Sequence, residues 1–149
     1  MASEAQAGAK PSEGRTDALS ELNQIVRSAP KCPPNVNCEG LIAFLGITAG
    51  LYLALKAIND GLGTAGTHGC NWDICQTVMR FIDRDINRIN ELMSRARGLI
   101  SEGKLDSEVL DLITNEASQV IEDVTHYYPV AIDLLARYGR GRPRQGQGV

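Results

Sequence analysis

The stretch GLIAFLGITAGLYLALKAIND, from Gly40 to Asp60, decides the fold of this 149-residue chain. It contains no charged residue between Leu41 and Leu55. The stretch is longer than an ordinary β-strand and rich in leucine, isoleucine and alanine, which predicts a helix over 41–58. Because this helix is apolar on every side, it is not a surface helix. It either crosses a membrane or forms the buried centre of a helical bundle.

The membrane interpretation depends on length and on small residues. The apolar run 41–58 is at the lower end of what crosses a hydrocarbon layer about 30 Å thick. Its one charge, Lys56, lies close enough to the end to reach the headgroups. Ala43, Gly46 and Gly50 lie on one side of the helix and predict a face that lets membrane helices pack closely. We therefore expect a single-pass membrane protein with at least one side in an oxidising compartment.

The alternative is a soluble, disulfide-stapled bundle with the same helix at its centre. Amphipathic helices elsewhere in the chain need an apolar element to cover, and a helix that is apolar all round supplies one. Such a bundle would bind an apolar ligand or a protein partner.

Two long helical patterns follow the hydrophobic stretch. Apolar residues recur every three or four positions over 72–101 and again over 106–138, which is typical of helices with one apolar stripe. Gly103 suits the end of the first helix and Asp106 suits the cap of the second. A short turn would join them into an antiparallel hairpin. The predicted fold class is all-α, with the hydrophobic helix 41–58 followed by this hairpin.

The first arm of the hairpin is basic and the second is acidic. Four arginines follow one side of the first arm: Arg80, Arg84, Arg88 and Arg95. The second arm carries acidic residues and has no lysine or arginine between 105 and 135. A fold about the turn would place Arg84 near Glu122 and Arg95 near Asp111. We expect the arginine stripe to be a polar interaction face, with pairing to the acidic arm as the simpler alternative.

Composition divides the chain into segments: 1–39, polar and mostly flexible with a short helix at 17–28; the hydrophobic helix 40–59; the glycine-rich linker 60–71; the hairpin 72–138; and the flexible basic tail 139–149. The polar and glycine-rich segments lack the apolar residues that would order them. The net charge of −3 gives the chain no general attraction for nucleic acid, which is not an expected partner.

Four cysteines fall in two close pairs, Cys32 with Cys38 and Cys70 with Cys75. Zinc sites usually separate paired ligands by about two to four residues, and the wider spacing of the first pair fits this poorly. We therefore predict local disulfides within each pair and no metal site.

The sequence nominates no catalytic residue. It has two histidines, and its carboxylates are spread along helix faces, so no acid–base pair stands out. The segment GLGTAG at 61–66 matches a dinucleotide-binding pattern, but a helical run rather than a strand precedes it. We expect no enzyme activity and no cofactor. The predicted function is that of a membrane-associated helical protein that acts in structural assembly or partner binding through its hairpin. Its expected contacts are copies of itself or a protein partner, and a lipid bilayer.

Overall fold

The structure is a computed structural model that describes residues 17–65 and 72–138. These residues form four α-helices and a single 3₁₀ turn, and no strand occurs among them: α1 (Ala18–Ser28), the 3₁₀ turn Ala29–Lys31, α2 (Cys38–Ala65), α3 (Trp72–Ser101) and α4 (Ser107–Tyr138). The all-α fold class is confirmed, as is a hydrophobic helix followed by two long helices. The segments predicted to be flexible at 1–15 and 139–149 lie outside the described residues.

The short helix predicted at 17–28 is present as α1, and its start follows from a capping side chain. Asp17 has extended backbone geometry, and its Oδ1 accepts a hydrogen bond from the Ser20 backbone N–H at 2.9 Å. This is the ordinary way to satisfy a free N–H group in the first turn. Ala18 and Ile25 lie on the buried side of the helix, so α1 is an amphipathic helix packed on one face.

The hydrophobic helix is longer than predicted at both ends. It begins at Cys38, where the Asn37 side chain accepts a hydrogen bond from the Gly40 N–H at 3.0 Å. It continues to Ala65, so the predicted linker 60–71 was wrong over its first six residues. Glycines weaken a helix, but burial of Leu62 against the rest of the protein offsets that loss. Residues 66–71 lie outside the part of the chain that is described.

The turn between α3 and α4 has the predicted signals at the predicted places. Gly103 has a φ of +69°, a conformation that glycine adopts without strain. The Lys104 N–H donates to the Leu99 carbonyl at 2.8 Å and the Gly103 N–H to the Ile100 carbonyl at 3.1 Å, which together form a Schellman motif. Asp106 then caps α4 by accepting from the Val109 N–H at 2.8 Å. The residues that end α3, reverse the chain direction and start α4 therefore all lie within 99–109.

Pro129 lies inside α4, which runs unbroken to Tyr138. A proline can bend a helix or begin a new one, and no new helix begins at this proline. Proline has no N–H, so the carbonyl of Thr125 lacks its usual helical donor. The helix is locally weaker at this point than elsewhere.

The described residues pack into two compact units. The first combines residues 17–50 with 88–118. Its centre is made of fully buried apolar side chains: Ile25, Leu45, Leu92, Met93 and Ile113. In the same unit, Arg97 Nε on α3 lies 2.5 Å from the buried Glu21 Oε1 on α1. Both apolar packing and this ion pair hold α1 in the unit.

The second unit combines the remaining described residues, 51–65 and 72–87 with 119–138. Asn59 Nδ2 on α2 donates to Asp83 Oδ1 on α3 at 2.7 Å, and Gly63, one turn further, lies against Met79. The partner number falls as the α2 number rises, so α2 and α3 are antiparallel here. Gly61 lies against Leu135 of α4. The hydrophobic helix is therefore packed against both arms of the hairpin in this unit.

Candidate functional site

One side of α2 is buried along the whole helix. In the first unit the buried positions are Leu41, Leu45, Thr48 and Ala49, and in the second they are Tyr52, Leu55, Ile58 and Leu62. The spacing of three and four residues is that of a helix with one packed face. Thr48 satisfies its own hydroxyl by donating to the Phe44 carbonyl at 3.0 Å. The helix is thus apolar all round, but only one side of it serves as core.

The opposite side of α2 is uncovered in the first unit, and we call it the open face: Ala43, Gly46, Ile47 and Gly50. Ile47 is 64% exposed, Ala43 and Gly50 are exposed, and Gly46 is half-buried. A Cβ at Gly46 or Gly50 would meet no heavy atom within 4 Å among the described residues. The three residues predicted as a close-packing face therefore lie together on one side of the helix, and no described residue packs against the two glycines.

The open face is unusual for a solvated helix surface. Glycine inside a helix is destabilising by roughly 1 kcal/mol relative to alanine, and a close backbone approach is the common compensation. No such approach to Gly46 or Gly50 occurs within the described chain. Ile47 beside them adds an exposed side chain with no polar atom.

By length and composition, α2 is also able to cross a membrane. The segment Cys38–Gly63 passes that test, and it is the one segment among the described residues that does. Of its most apolar window, 39% is buried inside the protein. Length and composition do not by themselves separate a membrane span from the core helix of a soluble bundle.

The predicted arginine stripe is partly engaged within the hairpin. Arg84 pairs with Asp123 on α4 and lies over the Phe81 ring, 5.1 Å from its centroid. Arg95 pairs with Glu116. The predicted partner of Arg84, Glu122, was wrong by one residue, and that of Arg95, Asp111, was wrong by five. Side-chain packing sets the register of α3 against α4, and the position of the turn alone does not fix it. Arg80 is exposed and Arg88 is half-buried.

A buried acid on α3 is the feature that the sequence reasoning missed. The Asp85 side chain is 0% exposed, and Tyr127 Oη on α4 donates a hydrogen bond to its Oδ2 at 2.8 Å. Burial raises the pKa of Asp85 above its ordinary value, and the neighbouring Asp123 carboxyl adds to that rise. The sequence did contain a signal for this burial. Asp85 lies three residues after Ile82 and four before Ile89, on the apolar stripe of α3.

Among the described residues, one disulfide joins two cysteines that are close in sequence. Cys32 and Cys38 are bonded, with Cα atoms 6.4 Å apart, which confirms the first predicted pair. Cys75 is also disulfide-bonded; its predicted partner, Cys70, lies outside the described residues. No group of three or more histidine, cysteine, aspartate or glutamate side chains suited to a metal occurs within residues 17–65 and 72–138. The Cys32–Cys38 bond staples the segment just before α2.

His126 on α4 contacts the backbone of its own helix. Its Nδ1 lies 2.8 Å from the Glu122 carbonyl, one turn earlier on α4. The ring is therefore tied to its own helix.

Comparisons of the chain with models of protein families, with curated protein sequences and with solved structures give no significant match.

Proposed function

We propose that the protein is a non-enzymatic helical assembly protein that associates with a second copy of itself through the open face of α2. The observation that carries this proposal is the exposure of Ala43, Ile47 and Gly50 beside the half-buried Gly46, with no part of the described chain over the two glycines. Helices approach most closely where small residues remove side chains from between their backbones.

The open face contains both parts that a symmetric contact requires. In a two-fold interface the same patch meets itself, so each protrusion must face a hollow of the other copy. Ile47 protrudes from the face, and Gly46 and Gly50 leave the hollow that would receive it. A patch made only of large residues or only of glycines would lack one of the two.

The packed side of α2 supports an assembly in which the bundle stays intact. Asn59 and Gly61 hold α2 to the two arms of the hairpin in the second unit. The apolar stripes of α3 and α4 would be left uncovered if α2 moved away from them. We therefore infer that α2 remains part of the bundle and that only its open face takes part in association.

Sedimentation velocity in detergent-free buffer over a range of protein concentrations tests this proposal. We expect wild type to form a dimer, and Gly46→Leu to shift it toward monomer by filling the hollow. Gly98→Leu is the matched control, because Gly98 is a half-buried helical glycine of the first unit that also has open space at its Cβ. A wild type that stays monomeric at about 100 µM, a concentration at which weak micromolar contacts populate the dimer, would refute the proposal. Equal effects of the two substitutions would also refute it.

The second candidate is a single-pass membrane protein, favoured by the length and composition of Cys38–Gly63. In this state α2 would lie in the bilayer, and the disulfides would place at least one side in an oxidising compartment. The hairpin would then bind its partner outside the bilayer. Membrane association that resists carbonate extraction after expression in cells would support this candidate, whereas release into the soluble fraction would reject it.

A further inference from the structure

The open face of α2 extends along the helix at regular spacing in both directions. Exposed or half-buried positions recur there at alternating steps of four and three residues, and we call this set the seam: Glu39, Ala43, Gly46, Gly50, Leu53 and Ala57. The first four belong to the first unit and the last two to the second. All six lie on one continuous helix, Cys38–Ala65. Leu53 is the largest apolar side chain among them and is 47% exposed.

Alternating steps of four and three residues are the spacing at which two helices pack side by side in a coiled coil. On α2 this spacing occurs twice. The buried positions use it to face the bundle, and the seam lies on the opposite side of the helix. An ordinary surface helix has one such stripe and a polar opposite face. The second stripe therefore favours another helix, rather than water, as the contact of the seam.

The volumes of the seam residues match in an antiparallel pair of α2 helices. If Gly46 of one copy lies opposite Gly50 of the second copy, the alternating spacing places Ala43 opposite Leu53. The large side chain then fills the room left by a small one, as close packing requires. The two glycine layers at the centre allow the backbones to approach closely. Ile47 falls level with the turn between those glycines, where the hollow lies.

A parallel pair of α2 helices loses this match. Each residue then lies opposite its own copy, so Leu53 meets Leu53 while the glycines meet glycines. The leucine layer would hold the helices apart where the glycine layers call for close approach. Glu39 would also lie opposite Glu39, and like charges placed together in an interface are unfavourable.

Charge complementarity also favours the antiparallel direction. Lys56 directly precedes Ala57, the residue opposite Glu39 in the antiparallel register, so its ammonium group can reach the Glu39 carboxylate of the second copy. Both charged side chains are exposed, and neither has a hydrogen-bonded or ion-paired side chain among the described residues. Two-fold symmetry makes this contact twice in the dimer.

We propose that two copies of the chain pair through antiparallel α2 helices, and that Glu39 and Lys56 are the specificity-determining residues that set this direction. The inference rests on the self-association proposed above and specifies its geometry. Asp60, the next position in the spacing, falls beyond the first residue of the other copy's α2 in this register. In dilute solution, below the dissociation constant, the chain is a monomer and Leu53 stays half in water.

A water-soluble carbodiimide, which joins a carboxyl group to an amine without a spacer, tests the contact on the full chain. Within one helix Glu39 and Lys56 lie about 25 Å apart at about 1.5 Å per residue, so a bond between them forms only between two copies. We expect a covalent dimer at about 100 µM chain, in which mass spectrometry finds the Glu39 and Lys56 peptides joined. The Glu39→Gln chain is the control and should not form that bond, because glutamine has no carboxyl group.

The outcomes separate the antiparallel register from the self-association on which it rests. A wild type that sediments as a monomer at this concentration would overturn both. A dimer in which Glu39 is never joined to Lys56 would overturn the antiparallel register alone.

Sedimentation of charge variants gives an independent measurement. Glu39→Gln should raise the dissociation constant of the dimer by about twofold to thirtyfold, because two exposed ion pairs are lost. Glu91→Gln is the matched control and should leave the constant unchanged, since Glu91 is an exposed glutamate of the first unit that lies on α3. The double variant Glu39→Lys with Lys56→Glu should dimerise more tightly than either single variant. In a parallel dimer Glu39→Gln would remove a repulsion, so an unchanged or lower dissociation constant would overturn the proposal.

Discussion

Two leucines on α2 provide a sharp test of whether this helix has one core side and one open side. Leu55 is 0% exposed and Leu53 is 47% exposed, although they are two residues apart in the same unit. Replacing either one by alanine removes the same atoms from the same helix. The helix propensities of leucine and alanine are close, so the backbone contribution nearly cancels between the two variants.

The magnitudes follow from burial. Leu55→Ala withdraws about three buried carbon groups, worth about 0.8 kcal/mol each, and leaves a cavity that brings the expected loss to about 3–4 kcal/mol. Leu53→Ala removes a side chain that is already half in water and leaves no enclosed cavity, so the expected loss is about 1 kcal/mol. The predicted ratio of the two losses is therefore about three to one.

Urea unfolding followed by circular dichroism measures both losses. With a slope of about 2 kcal/mol per molar urea, the midpoint should fall by about 1.5–2 M for Leu55→Ala and about 0.5 M for Leu53→Ala. Unchanged slopes would show that both variants unfold from the same compact state. Equal midpoints for the two variants would refute the packing of α2 described above and would favour a helix surrounded by lipid on all sides.

Three further substitutions test other contacts. Replacing Cys32 and Cys38 together by serine opens a loop with a sequence separation of 6, and should lower the free energy of unfolding by about 2 kcal/mol in a thermal melt. A double-mutant cycle on Arg95 and Glu116 should give a coupling of about 0.2–1 kcal/mol that disappears in 1 M salt, since both side chains are about half exposed. Gly61→Val should destabilise the second unit by about 1–3 kcal/mol, because its Cβ would collide with a leucine of α4.

Each of these expectations has its own counter-result. Gly98→Val is the matched control for Gly61→Val, because a Cβ at Gly98 meets open space and Gly98 lies outside the open face; equal destabilisation by the two would contradict the close contact. A coupling that survives high salt would mean that the Arg95 pair is less solvated than its exposure indicates. A serine variant as stable as wild type would show that the Cys32–Cys38 bond adds nothing to folding.

Features that depend on one or two helical turns were predictable from the sequence. Asp17 caps α1 at the start of the predicted short helix, and Asp106 caps α4 where it was expected to. Gly103 ends α3 with the positive φ that its lack of a Cβ permits. The long helices follow from apolar spacing in the same way. The local errors were the two ends of α2, and the larger was at its C-terminus, where glycines at 61 and 63 predicted a linker. Tertiary packing of Leu62 kept that segment helical.

Tertiary structure decided how the faces are used. Periodicity could not show which side of α2 is covered, because a helix that is apolar all round has no stripe to read. The partners predicted for Arg84 and Arg95 were wrong, since the offset between two antiparallel helices depends on how their side chains interlock. The position of Asp85 on the apolar stripe can be read from the sequence. Its burial beside Asp123 and Tyr127 follows only from the packing of α4 against α3. Capping and periodicity act within a single helix, whereas burial and register arise only when helices meet.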